Sequence, residues 1–137
     1  MSSRPFALLC RFLSETDLSD FPPLVVAHAR QVFLDTLGVI IAGSGVPEVN
    51  RAAARFGESC RKEEGVTCPG RAGSFEPLSA ALLNGMAGSS LEFEEGNSRA
   101  MGHPAIQLVP ALAADAETGG LTGRDLLRGL ILGYETA

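Results

Sequence analysis

An all-α fold, a multi-helix bundle of five or six helices, is what this sequence predicts. Three observations carry that prediction. Apolar residues recur at three- and four-residue spacing along most of the chain. Start and stop residues bracket those stretches, with proline at the openings (Pro23, Pro47, Pro77) and "GSG" (43–45) at a close. No stretch shows sustained alternation of period two, and no internal repeat is visible.

The first helix is predicted over about residues 5–14, with Phe6, Leu9 and Leu13 on one face. "SDFPP" (19–23) then supplies a start signal, with Ser19 or Asp20 placed to cap and proline tolerated in the first turn. The strongest helical pattern covers 24–42, where Val25, Ala29, Val32, Phe33, Thr36, Leu37 and Ile40 share a face. Glycine in "GSG" accepts the left-handed geometry of a helix end and closes it. Pro47 opens another helix through about Phe56, with Val49, Ala53 and Phe56 aligned. "GVTCPGRAGS" (65–74) reads as a short extended piece followed by a turn.

From Pro77 to about Leu91 runs a helix rich in small residues, "LSAALLNGMAGSS" (78–90). Small side chains let neighbouring helices approach closely, so this one is expected at the centre. After His103 and Pro104, "AIQLVPALAADAETGG" (105–120) is helical again, with Pro110 marking either a kink or the true start. In the last segment Thr122 as N-cap and Asp125 three residues on form a capping box. Leu126, Leu127, Leu130, Ile131 and Tyr134 form its apolar face. That pattern is still running at Ala137 with no C-cap in view, the ending expected of a domain that continues.

The 137 residues suit one domain, and 45% apolar with 20% charged residues is a globular balance able to bury a core. A net charge of −5 and the lack of a basic stripe argue against a nucleic-acid partner. Cys10, Cys60 and Cys68 are an odd count without CxxC spacing, which points away from a disulfide framework and toward a reducing compartment. The apolar run "LGVIIAG" (37–43) is too short for a bilayer, so no membrane is expected. Arg4 and Arg11 interrupt any secretory core, and Glu15 with Asp17 count against a mitochondrial presequence. The expected location is cytoplasmic.

"SSLEFEEGNSRAMGHPA" (89–105) concentrates three carboxylates, an arginine and one of two histidines in a stretch with no helical pattern. Three readings compete for it. His103 is a general acid or base, with Glu92, Glu94 and Glu95 near enough to orient it, Pro104 restricting its backbone and Arg99 able to pair with a substrate carboxylate. Alternatively, His103 and two glutamates bind a divalent metal, although the spacing matches no dense ligand motif. In the plainest reading the glutamates form a solvated helix end and His103 caps the next helix. His28, inside the strongest helix, reads as structural, "GSG" is no dinucleotide fingerprint, and the cysteines have no visible activating partner.

The motifs resemble the N-terminal part of the MmgE/PrpD family, which includes 2-methylcitrate dehydratase, cis-aconitate decarboxylase and iminodisuccinate epimerase. "FLDTLGVIIAGSG" (33–45), "AALLNGMAGSSLEFEEGN" (80–97) and "GHPAIQLVPALAADAETGGLTGRDLLRGLILGYE" (102–135) are similar to family segments in the same order. The resemblance spans nearly the whole chain. It implies a large all-helical domain with a smaller α/β lid, a homodimer, and cofactor-independent chemistry beside a carboxylate of small di- and tricarboxylic acids; no metal ligands are assigned. His103, before Pro104, corresponds to the family's active-site histidine, and Glu92 stands at the first aspartate of its "DFDD" motif. Glu94 and Glu95 take the later pair. Ser89 or Ser90 falls where many members have histidine, and Gly96 where the decarboxylase branch has a hydroxyl residue.

The expected assignment is therefore His103 and Glu92 as catalytic residues, with Arg99, Glu95 and Asn97 binding substrate. The expected activity is that of a 2-methylcitrate dehydratase-like lyase, carried by a fragment or truncated form of such an enzyme. The alternatives are an epimerase or decarboxylase of the same family, or a non-catalytic helical module that only dimerises. The family's further substrate-gripping cations lie largely beyond position 137, so the segment alone is expected to turn over poorly.

Overall fold

Six α-helices and one small sheet make up the computed structural model, which describes residues 4–56, 61–62 and 65–137. Cys60 lies outside the described residues. The helices are α1 (Arg4–Glu15), α2 (Pro23–Gly43), α3 (Pro47–Phe56), α4 (Pro77–Ser89), α5 (Pro104–Gly119) and α6 (Gly123–Tyr134). Between α3 and α4, three two-residue strands, β1 (Arg61–Lys62), β2 (Val66–Thr67) and β3 (Ser74–Phe75), pair antiparallel in the order β1-β3-β2. Phe75 is the register partner of both Arg61 and Val66. The all-α prediction holds. The sheet, hidden within the expected extended piece and turn, is too short for any alternation to register in the sequence.

Small residues decide the packing. α4 lies against both α2 and α5, and it can do so because Gly43 and Gly88 carry no side chain. A Cβ on Gly43 would overlap the Ala87 carbonyl oxygen, and one on Gly88 would overlap the Ile106 Cδ1 methyl. Around these approaches Ile40, Val49, Ala87 and Ile106 form one buried cluster. A second, of Leu18, Ala29, Val32, Ala105, Val109, Leu130 and Ile131, joins α2, α5 and α6. Fully burying side chains such as Ile40, Leu83 and Leu130 contributes about 1.5–3 kcal/mol each. A third cluster, including Val66, Cys68, Phe75 and Leu83, seats the sheet on α4. Thr67 is held there from two sides: its amide and hydroxyl donate to Glu117 Oε2 of α5 at 2.9 and 2.8 Å, and its carbonyl accepts from Asn84 of α4 at 3.1 Å.

Several local expectations change. The apolar face expected of α1 stays in solvent, with Phe6 63%, Leu9 41% and Leu13 37% exposed. α1 is tied on by polar bonds instead. Arg128 of α6 donates to the Thr16 carbonyl at 2.6 Å and the Leu13 carbonyl at 2.8 Å, satisfying acceptors that the helix end leaves open. Arg124 also pairs with Asp17. The cap expected from Ser19 or Asp20 serves a different element. Asp17 and Asp20 form a reciprocal capping box on a 3₁₀ turn (Leu18–Asp20), while Pro22 precedes α2 without a side-chain cap. Bonds from Ser19, with Arg124 nearby, hold the Asp17 carboxyl at about 2.

The last helices also differ in detail. Pro110 neither starts nor divides α5, which runs continuously from Pro104. The capping box of Thr122 and Asp125 forms as expected, and α6 closes at Tyr134 on Glu135, whose amide bonds the Gly133 and Ile131 carbonyls. The short apolar run belongs to a 21-residue helix, α2, long and apolar enough by composition to cross a membrane. One side of that helix, through Ala29, Val32, Thr36, Ile40 and Gly43, is buried in the bundle.

Gly43→Ala is expected to lower stability by about 3 kcal/mol or more, because the obstructing atom is backbone. Gly88→Ala should cost less, about 1 kcal/mol, since the Ile106 methyl can swing away and alanine favours helix. Urea unfolding midpoints of the two variants check the order; equal or reversed losses would refute this account of the packing.

Candidate active site

The loop between α4 and α5 begins where α4 can no longer continue. Ser90 caps the helix, and Glu92 takes a left-handed backbone with φ 53°, a conformation that disfavours most side chains by about 1–2 kcal/mol. Met101, at φ 51°, is the second such residue. Between them the chain turns back on itself. Asn97 and Gly102 exchange backbone hydrogen bonds at 2.8 and 3.3 Å. Within that turn Asn97 Oδ1 accepts from the amides of Arg99 at 2.9 Å and Ala100 at 3.1 Å. Asparagine suits the place because its short amide can satisfy nearby backbone donors.

His103 follows at the N-cap position of α5, exposed and with no capping bond of its own. Its Nδ1 lies 2.9 Å from the backbone carbonyl of Glu95. A carbonyl only accepts, so Nδ1 carries the hydrogen and, in the neutral ring, Nε2 keeps the basic lone pair. The orienting contact is thus a main-chain oxygen, where the sequence suggested a carboxylate. Among the described residues no carboxylate forms an ion pair with the ring. Position 96 sits beside it: a Cβ on Gly96 would stand 3.9 Å from His103 Cε1, an ordinary contact distance.

The glutamates divide. Glu92 is exposed at its strained turn. Glu94 is half-buried, and its Oε2 is enclosed without a hydrogen-bond partner. Glu95 turns its carboxylate toward α6, where Oε2 accepts from the Tyr134 hydroxyl at 2.6 Å. Burial first, and the Glu95 carboxylate next, push the Tyr134 hydroxyl well above its usual range, so it remains a donor at neutral pH. A shallow groove on the same side brings Glu95 together with His28, Gln31 and Asp35 of α2.

The structure therefore brings His103 and Glu95 together directly. It leaves the Glu92 and Arg99 side chains exposed on the loop. It also commits the Asn97 side-chain oxygen to the turn, so only the amide NH₂ of that expected substrate ligand is left for a bound acid. No group of three His, Cys, Asp or Glu side chains among the described residues is placed to hold a metal ion. Burial pushes the Cys68 thiol up to about 11, which keeps it protonated and unreactive. Tyr134 was the residue sequence reasoning missed. It was read as part of a buried face, yet it is the chain's single tyrosine, and a partly buried phenol ordinarily requires a polar partner.

With this geometry in hand, comparison with known proteins is decisive about ancestry. The profile of the MmgE/PrpD N-terminal domain matches residues 7–137. The chain belongs to the MmgE/PrpD family. A curated relative, the cis-aconitate decarboxylase-like protein oryM of Aspergillus oryzae (strain ATCC 42149 / RIB 40), is 32% identical over 137 aligned residues. The alignment covers 95% of this chain and 28% of the relative, so this MmgE/PrpD segment spans little more than a quarter of that protein. No solved structure matches.

Asn97→Ala removes the acceptor for two loop amides. Hydrogen exchange at Arg99 and Ala100 should accelerate roughly tenfold while the helices keep their protection. Unchanged exchange at both amides would show that Asn97 does not hold the turn.

Proposed function

We propose that this MmgE/PrpD segment supplies the proton-transferring side of a lyase site for a small di- or tricarboxylic acid. The observation that carries the proposal is His103, exposed at the N-terminus of α5 with Nδ1 committed to the Glu95 carbonyl. That arrangement leaves Nε2 as the group able to accept a proton from, or return one to, a carbon beside a carboxylate. Arg99, exposed four residues before the ring, supplies a cation for a substrate carboxylate. Glu92, exposed on the same loop, is the second acid/base group in this reading.

Such chemistry asks for charge stabilisation as well as a base. When the proton leaves the carbon, its electron pair delocalises into the adjacent carboxylate, and cations or N–H donors must meet the charge there. In a dehydration the pair then forms the C=C bond while the β-hydroxyl departs, protonated, as water. In a decarboxylation the bond to the departing CO₂ supplies the pair, and the carbon takes a proton in return. One imidazole serves either course, as base in the first and as acid in the second.

The name of the Aspergillus relative makes cis-aconitate the first acid to test. Dehydration of 2-methylcitrate is the second reading. It is favoured by Gly96, which puts no hydroxyl beside the ring at a position where the decarboxylase branch resembled by the sequence has one. The two acids, with product detection by NMR, separate these readings. In an active protein carrying this segment, His103→Ala should lower kcat by roughly 10²- to 10⁴-fold and leave the helical circular-dichroism signal unchanged. Turnover at the original rate in that variant would remove His103 from the mechanism.

A further inference from the structure

We propose that Tyr134 is a positioning residue for His103, acting through the two ends of Glu95. The inference rests on the acid/base reading of His103 and deepens it. Glu95 makes one hydrogen bond with each of its polar ends. Its carboxylate accepts from the Tyr134 hydroxyl at 2.6 Å, and its carbonyl lies 2.9 Å from His103 Nδ1. Tyr134 itself belongs to α6 and packs against the buried cluster of α2, α5 and α6. A loop residue thereby connects the helical core to the imidazole.

The physical consequence is a choice of tautomer. A histidine side chain free in water prefers its hydrogen on Nε2, which would turn the lone pair inward at Nδ1. The Glu95 carbonyl reverses that preference only if it is held at bonding distance from the ring. The bridge of Asn97 and Gly102 closes the far part of the loop, but it lies beyond Glu95 and does not fix which way the Glu95 carbonyl faces. The Tyr134 bond does so by holding the side chain on the other side of the same residue. A phenol in this position makes the bond with little entropic loss, because its ring is already packed against the core.

The 137-residue chain contains two histidines, so its imidazole nitrogens can be assigned by ¹⁵N NMR, using His28→Gln to identify the second ring. At pH 8 the account expects His103 to show the Nδ1–H form. Tyr134→Phe, which keeps the packed ring and removes only the hydroxyl, should shift the tautomer ratio at least about fivefold toward Nε2–H. Glu95→Ala should reproduce that shift. Glu95→Gln, which retains an acceptor for the phenol, should keep the original form. If Tyr134→Phe unfolds the bundle, Glu95→Ala, located in the loop, decides the question by itself.

An Nε2–H ring in the unaltered chain, or an Nδ1–H ring untouched by loss of the carboxylate, would overturn the proposal. Failure of the functional reading looks different. In that case the tautomer shifts as described, while His103→Ala leaves turnover of the organic acids intact in an active protein.

Discussion

The close approach of α4 to α2 and α5 is the constraint on which the rest of the structure depends. Gly43 lets the end of α2 meet the backbone of α4 at Ala87, and Gly88, one residue further, makes room for Ile106 of α5. Both contacts lie at the end of α4 from which the loop departs. Ile106 is in the first turn of α5, to which the loop returns. The exit and re-entry of the loop are thus fixed by the same small-residue packing. A side chain at Gly43, which would meet the backbone of Ala87, would move one end of the site relative to the other.

Inside that frame the loop is ordered by modest bonds made in different directions. The exchange between Asn97 and Gly102, the two amides on Asn97 Oδ1 and the Tyr134–Glu95 bond are each worth about 1 kcal/mol net. Against them stand two left-handed residues, Glu92 and Met101, and a buried glutamate oxygen without a partner. Unfavourable local choices of this kind gather where function competes with stability. The scaffold below shows the opposite tendency. Side-chain caps on α4 and α6 and the buried small and apolar residues shared by α2, α4, α5 and α6 agree with one another.

The fold was legible in the sequence to within a few residues because its signals are local. Pro23, Pro47 and Pro77 open helices, the left-handed Gly120 closes α5, and Thr122 with Asp125 caps α6, each acting within one turn of its own position. By contrast, α2 ends on Ser44 in a right-handed turn and not on the left-handed glycine expected of "GSG". What escaped detection was non-local. The apolar stripe of α1 has no partner in the described residues that periodicity could have revealed, and the helix is held by Arg128 from the far end of the chain. The sheet depends on pairing Val66 with Phe75 rather than on any pattern inside either strand. In the site, the histidine, the glutamates and the turn residues could be picked out by composition. Their division of labour could not, because the carboxylate of Glu95 is claimed by a tyrosine 39 residues away, and a main-chain carbonyl leaves no mark in a sequence.

In the acid/base role proposed for His103, membership of the MmgE/PrpD family and the geometry of the loop meet at one atom, the Nε2 nitrogen of the ring. The scaffold holds the loop and the Glu95 carbonyl lies against Nδ1, so in the proposed mechanism the other ring nitrogen is the one left to act as a base. A crystal structure of an active protein containing this segment, with an unreactive tricarboxylate bound, measures that arrangement most directly. The account predicts Nδ1 still on the Glu95 carbonyl and Nε2 about 3 Å from the ligand. A ligand seated away from His103, or one bonded through Nδ1 with the Glu95 carbonyl released, would contradict it.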